Sequence, residues 1–187
     1  MAPFINVIDF ENAEGELKNI YENIIRKRGK LAEVHKIQSL NPESIIRHMD
    51  LYMTIMFGKS PLKRSQREMM AVVVSAINDC EYCRLHHGEA LHRYWKNEEN
   101  VLQLGRDYRK LELKTNDLLL CDLAERVTRL PADSDFEEST QALKKVGMTD
   151  RAILDAVLVI SYFNFVNRLV IGLGVEPSPD EIKGYKY

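Results

Sequence analysis

Apolar positions recur at intervals of three and four along nearly the whole chain, the period of a helix with one buried face. Leu17, Ile20, Tyr21, Ile24 and Ile25 form the first such stripe, and Gly29 supplies its stop. Asn41-Pro42-Glu43 is a start signal: a capping Asn, Pro at the first helical position and an acid in the first turn. The helix that follows carries Ile45, Ile46, Met49, Tyr52, Met53 and Met56 as far as Gly58, with its methionines read as core filler. Ser60-Pro61 precedes a helix over 66–77, and a second follows over 79–94 with Asn78 and Asp79 as its caps. Thr115 starts a helix through Leu118, Leu119, Leu123, Ala124 and Val127 that ends before Pro131. Residues 133–138 read as acidic and solvated, 136–146 as a short helix stopped by Gly147, and 151–173 as a long helix begun by Thr149-Asp150. No segment reads as a strand, since the β-branched run Val72-Val73-Val74 lies inside a helical pattern. The pattern predicts an all-α bundle of about seven or eight helices in a single domain, 1–187, with an N-terminal arm at about 1–12 and a C-terminal tail at about 175–187. A shift of 86 positions lays Ala71–Asn78 over Val157–Asn164, both apolar runs with Ser and then Asn three residues on, which suggests a helical-hairpin pseudo-repeat.

Composition narrows the function. With 187 residues the chain can bury about 70% of its unfolded surface and needs no disulfide or metal to fold. The net charge of −2 argues against nucleic acid as the main partner. The one basic run, Arg26-Lys27-Arg28-Gly29-Lys30, reads as a helix C-terminus complementing the macrodipole. The first ten residues have neither the basic nor the apolar region of a secretory signal. The apolar stretch 156–163 is far short of the ~20 residues of a membrane span. Three cysteines, two of them in one Cys-x-x-Cys, fit a reducing cytoplasm.

The chemistry concentrates in residues 68–87. On a helix from Cys80 onward at about 100° per residue, Cys83 lies about 60° from Cys80, with His87 between them in angle. The i,i+4 spacing lets His87 take the Cys83 proton. A thiolate is the nucleophile, and a helix N-terminus and a nearby imidazolium both favour it. The second cysteine, one turn away, is placed to attack a sulfenic acid and close a disulfide. The residues alone leave open which thiol attacks: Cys80 is nearer the helix start, Cys83 nearer His87. Glu68 falls on the preceding helix, where antiparallel packing returns it to the cysteine face. His86 reads as an exposed neighbour, His35, His48 and His92 as structural, and Arg84 as a solvated surface residue. Cys121 reads as an inert core thiol. Asn164, Asn167 and Arg168, polar within an apolar helix, divide between a hydrogen-bonding role and site lining.

Glu-x11-Cys-x-x-Cys-x3-His, here Glu68, Cys80, Cys83 and His87, resembles the signature of the alkyl hydroperoxidase D-like proteins of the carboxymuconolactone decarboxylase superfamily. The run 160–176 is similar to the peroxidase-related branch of that superfamily. The resemblance implies an all-α fold, homo-oligomers (a dimer or a hexamer) and thiol-dependent reduction of hydroperoxides. It implies that Cys83 reacts with peroxide, Cys80 resolves it, and His87 and Glu68 relay protons. Where the best-known members carry a His between the cysteines, this chain has Tyr82. The partners expected are a peroxide and an external dithiol reductant, with no cofactor, no metal, no nucleic acid and no membrane. Two other readings remain: Zn²⁺ held by Cys80, Cys83, His87 and Glu68 or water, and a helical oligomeric scaffold with an incidental cysteine pair.

Overall fold

The computed structural model describes residues 2–129, 136–177 and 179–182. Among these residues the structure is entirely helical. The elements are α1 (Gly15–Arg28), α2 (Glu33–Lys36), α3 (Pro42–Phe57), α4 (Arg64–Ile77), α5 (Glu81–Trp95), α6 (Glu98–Asp107), α7 (Thr115–Arg129), α8 (Phe136–Lys145), α9 (Asp150–Gly172) and α10 (Pro179–Ile182), with 3₁₀ turns at Phe10–Asn12 and Tyr108–Lys110.

The start and stop signals hold where local chemistry decides. Asn41 accepts from the Ser44 N–H ahead of Pro42, and Thr149 accepts from the Ala152 N–H. Gly29, in the left-handed region at φ 84°, ends α1, whose last turn carries Arg26, Lys27 and Arg28. Helix α6 escaped the pattern reading, although its signals are present. Asn97 caps it through the Asn100 N–H, Glu98 and Glu99 fill the first turn, and Val101 and Leu104 bury one face. The methionine reading of α3 holds for Met56, which is fully buried, and for the half-buried Met49, packed on the α1–α3 cluster; Met53 is exposed, because its face of α3 borders an open groove along α1. Of the acidic stretch 133–138, residues 133–135 lie outside the described residues; Glu137 and Glu138 are exposed.

Helix α4 is the axis of the molecule. Every residue from Arg67 to Ser75 is buried, and α5, α7 and α9 pack around it. A helix that is apolar nearly all round must be enclosed in this way. Two arginines fasten α3 to it. The Arg67 guanidinium donates to the carbonyls of Ile55, Met56, Gly58 and Leu62 at 2.9–3.1 Å, and Arg64 donates to Met56 at 3.0 Å. Positive charge thus meets the free carbonyls at the C-terminus of α3. A smaller cluster of Leu17, Tyr21, Ile24 and Ile45 joins α1 to α3.

The 23-residue α9 is long and apolar enough to span a bilayer, but it is a core helix of the bundle, with Ala156, Val159, Ile160, Phe163 and Asn167 buried against its neighbours. Its echo of α4 has a physical counterpart. Asn78 Nδ2 donates to Asn164 Oδ1 at 3.0 Å, so the two asparagines related by 86 positions meet where the helices cross. The N-terminal arm lies along the end of α9, where the Phe4 N–H donates to Leu173 O at 2.9 Å. There the Phe4 ring comes so close to Gly174, at φ 68°, that a Cβ would fall 2.7 Å from it.

Candidate active site

Helices α4 and α5 run back to back, and the turn between them is made by Asp79 at φ 53°. This left-handed residue breaks the helix and displaces the start of α5 to Glu81. Cys80 is therefore the N-cap residue, just outside the helix on which Cys83 and His87 sit. The expectation that Asn78 and Asp79 cap α5 is corrected by the same geometry. Asn78 closes α4, and its amide is spent on Asn164 and Asn167, both at 3.0 Å.

The antiparallel return brings Glu68 to the cysteine face. Fully buried, it accepts from His87 Nδ1 at 2.7 Å and from Arg64 Nε at 2.9 Å. Burial alone would raise its pKa; the His87 and Arg64 charges and hydrogen bonds outweigh burial and hold the carboxyl below its ordinary value. A carboxylate on Nδ1–H leaves His87 Nε2 as the acceptor. His87 stands edge-on to the Phe163 ring, with centroids 4.4 Å apart.

All three cysteines are reduced and buried. Cys83 donates its thiol hydrogen to Cys80, which pulls Cys80 below the ordinary thiol pKa against the opposing effect of burial. The same bond, with burial added, raises Cys83 well above it; Asn167 opposes by donating toward the Cys83 sulfur. The buried Asn167 also donates to Ser75 Oγ at 3.2 Å, which makes it a strut between α4, α9 and the thiol pair. Cys121 sits apart in α7, fully buried, with its pKa raised by burial.

Beside Cys83 lies a cavity of about 80 Å³. Cys83 lines it and Cys80 does not. His87 shares the wall, and so do His86, His35 and His48. The expectation that His86 is exposed is corrected here. His86 is not exposed but packed on the Tyr82 ring, with centroids 4.4 Å apart and its side chain 12% exposed. His35 and His48 reach the cavity from α2 and α3, whereas His92 does not. Burial pushes His35 and His86 down to about 3 and His48 to about 4, so all three are neutral imidazoles at neutral pH. His48 meets the Tyr162 hydroxyl at 2.6 Å on one side and the Gln38 amide at 2.8 Å on the other. Arg28 supplies a cation at the rim, its guanidinium over the rings of Phe57 and Tyr52.

Tyr82, in the place of a histidine, acts as a strut: its hydroxyl donates to Glu181 of α10 and accepts from the Val34 N–H at 3.2 Å. Arg84 stays outside the cavity, 3.9 Å from Glu81. A wider groove of about 810 Å³ between α1 and α3 shares Arg28 and Met49 with the cavity but contains no thiol. Among the described residues, no group of three or more His, Cys, Asp or Glu side chains is arranged to hold a metal ion.

An all-helical bundle with a buried Glu-His pair beside two thiols defines a class, and comparison with known proteins agrees with it. The model of the Carboxymuconolactone decarboxylase family matches residues 42–104, the span from α3 to α6. An uncharacterized peroxidase-related protein from Silicibacter sp. TM1040 is 29% identical over 97% of both chains, with a TM-score of 0.85. A second structure, described as an alkylhydroperoxidase AhpD core and an uncharacterized peroxidase-related protein from Ralstonia eutropha JMP134, is 22% identical over 96% of this chain and 94% of that one, with a TM-score of 0.86. The debrominase Bmp8 shares the fold at 17% identity, over 96% of this chain and 98% of its own, with a TM-score of 0.78. No curated protein matches. Residues 42–104 thus resemble the Carboxymuconolactone decarboxylase family, and the chain as a whole shares the fold of these peroxidase-related proteins.

Proposed function

We propose that the protein is a cytoplasmic thiol-dependent, peroxidase-related oxidoreductase that reduces hydroperoxides through Cys83 and Cys80. The observation that carries this reading is the position of Cys83: it lines a cavity, with Cys80 hydrogen-bonded behind it and a carboxylate-oriented histidine on the same helix. Once its hydrogen turns away from the Cys80 sulfur, the Cys83 thiol gives that proton to His87 Nε2, and Glu68 steadies the imidazolium. The Cys83 thiolate attacks the distal peroxide oxygen and becomes a sulfenic acid. The Cys80 thiol then displaces water to form the disulfide. An external dithiol restores both thiols by exchange. The cavity suits a small substrate, with space for only a few water-sized groups.

Self-association is part of the proposal. Leu154, Leu158 and Phe165 lie exposed on one side of α9, the kind of surface that a closed dimer or hexamer covers.

The test combines peroxide consumption under a panel of dithiols, alkylation with mass spectrometry, and metal analysis. We expect turnover, a Cys80–Cys83 disulfide after peroxide with Cys121 still reduced, and no stoichiometric metal. Oxidation of Cys121 instead would overturn the site. About one equivalent of bound zinc would replace this reading with the metal-binding one. No thiol loss at all would leave a scaffold.

A further inference from the structure

We propose that Tyr162 is the acid that protonates the departing oxygen when Cys83 cleaves a peroxide, with His48 and Gln38 as its positioning residues. This inference rests on the peroxidase reading above. It follows from an inventory of hydrogens. Gln38 Nε2 lies 2.7 Å from the Val34 carbonyl, which can only accept, so that atom is the amide NH₂. Its other hydrogen is directed at His48 Nδ1, 2.8 Å away, which must therefore present a lone pair. His48 is neutral at neutral pH and carries its one ring hydrogen on Nε2. Nε2 is 2.6 Å from the Tyr162 hydroxyl, so the hydroxyl oxygen accepts. The phenolic hydrogen is then not used toward His48, and among the described residues His48 is the one hydrogen-bond partner of this hydroxyl. Tyr162 is 6% exposed and lines the same cavity as Cys83, so the hydrogen is available to a molecule bound there. Burial raises Tyr162 well above the ordinary phenol value, which keeps it protonated.

The cavity thus divides the proton work. His87 Nε2 accepts the proton of the Cys83 thiol. The thiolate sulfur forms a bond to the distal oxygen of ROOH, and the O–O bond breaks. Cys83 is oxidised by two electrons to the sulfenic acid and the peroxide is reduced. The alkoxide RO⁻ leaves with the electron pair and takes the Tyr162 proton, giving ROH. His48 Nε2–H stabilises the phenolate, which regains its proton from the His87 imidazolium through solvent. The sum is Cys83–SH plus ROOH giving Cys83–SOH plus ROH.

A general acid matters only when the leaving group is strongly basic, and this gives the test. Reduced protein is mixed with tert-butyl hydroperoxide, whose leaving group is an alkoxide, or with peracetic acid, whose carboxylate departs without a proton. Single-turnover oxidation of Cys83 is followed in each case. Tyr162→Phe removes one oxygen and keeps the ring. We expect it to slow the alkyl hydroperoxide about 100-fold and the peracid less than about 3-fold. His48→Asn should reproduce the same bias in weaker form. Alkylation of Cys83 by iodoacetamide, which needs no acid, should proceed at the wild-type rate in Tyr162→Phe and confirms an intact site. An equal loss on both peroxides, or none on either, overturns the role of Tyr162 while leaving the peroxidase reading intact. Wild-type protein that reacts with iodoacetamide but with neither peroxide overturns both.

Discussion

On the α4–α5 side of the cavity, His87 leans on a buried carboxylate that is itself held by Arg64; on the side built from α2, α3 and α9, His48 leans on an amide and a phenol. Both histidines are oriented, but by different means. Glu68 and Arg64 form a charged pair whose desolvation is offset only while both partners are present. Gln38, His48 and Tyr162 form a neutral chain in which each hydrogen has one place to go. The first arrangement fixes the ring of a histidine and leaves its Nε2 open as an acceptor. The second disfavours a charged histidine and reserves the phenolic hydrogen. Base and acid can thus stand beside one thiol, each in its working protonation state before the peroxide arrives.

The charged wall should be the more costly to break. Glu68→Gln leaves the Arg64 guanidinium buried without its counter-charge and frees the His87 tautomer. We expect unfolding stability to fall by about 3 kcal/mol, measured in urea at pH 7. Peroxide turnover should drop about 100-fold. Gln38→Leu on the neutral wall strands no charge and should cost about 1 kcal/mol. If the two substitutions cost the same, the distinction between the walls fails.

The two walls also differ in how far the sequence displays them. Glu68, Cys80, Cys83 and His87 lie within twenty residues, and helical spacing alone puts three of them on one face. What spacing could not show is the left-handed Asp79, which moves Cys80 off the helix and makes it the thiol that accepts its partner's hydrogen. The opposite wall comes from positions 35, 38, 48 and 162, brought together only by the packing of α2, α3 and α9. No local pattern links them, so His35 and His48 read as structural. The all-helical fold was legible because stripes and caps are local. The missed α6 carried a legible cap in Asn97 and an acidic first turn but too few apolar positions to stand out.

Acid should separate the walls by pH window. His48 has a folded pKa of about 4 against an ordinary 6.5, so the folded state binds fewer protons than the unfolded one between these values. Stability is then intact above pH 6.5 and is lost as pH falls toward 4. At pH 5 the loss from His48 alone is about 2 kcal/mol, and His35 and His86 act in the same sense. Glu68, with its pKa below the ordinary 4.5, also loses its stabilisation as pH falls, but only below that value. Replacing His48 by Asn should therefore shrink the pH 7 to pH 5 difference in unfolding free energy by about 2 kcal/mol. An undiminished difference would place the titration on His35 or His86 instead of His48.

The smallest effect sharpens what the cavity itself contributes. Cys121 is as buried as Cys83, yet it sits in the hydrophobic core on α7, and burial raises its pKa. If burial were enough to make a thiol reactive or inert, the two would behave alike. The site geometry predicts otherwise. In native protein at pH 8, iodoacetamide should modify Cys83 or its partner Cys80 and leave Cys121 untouched until the chain is unfolded, as read by mass spectrometry of the labelled peptides. Cys121→Ala deletes one buried sulfur and should cost about 1 kcal/mol, the scale of a cavity the size of a methyl group, with peroxide kinetics unchanged. Labelling of Cys121 at the rate of Cys83 would mean that the α7 face of the core opens as readily as the cavity, and that the polar surroundings of Cys83 are not what sets the two thiols apart.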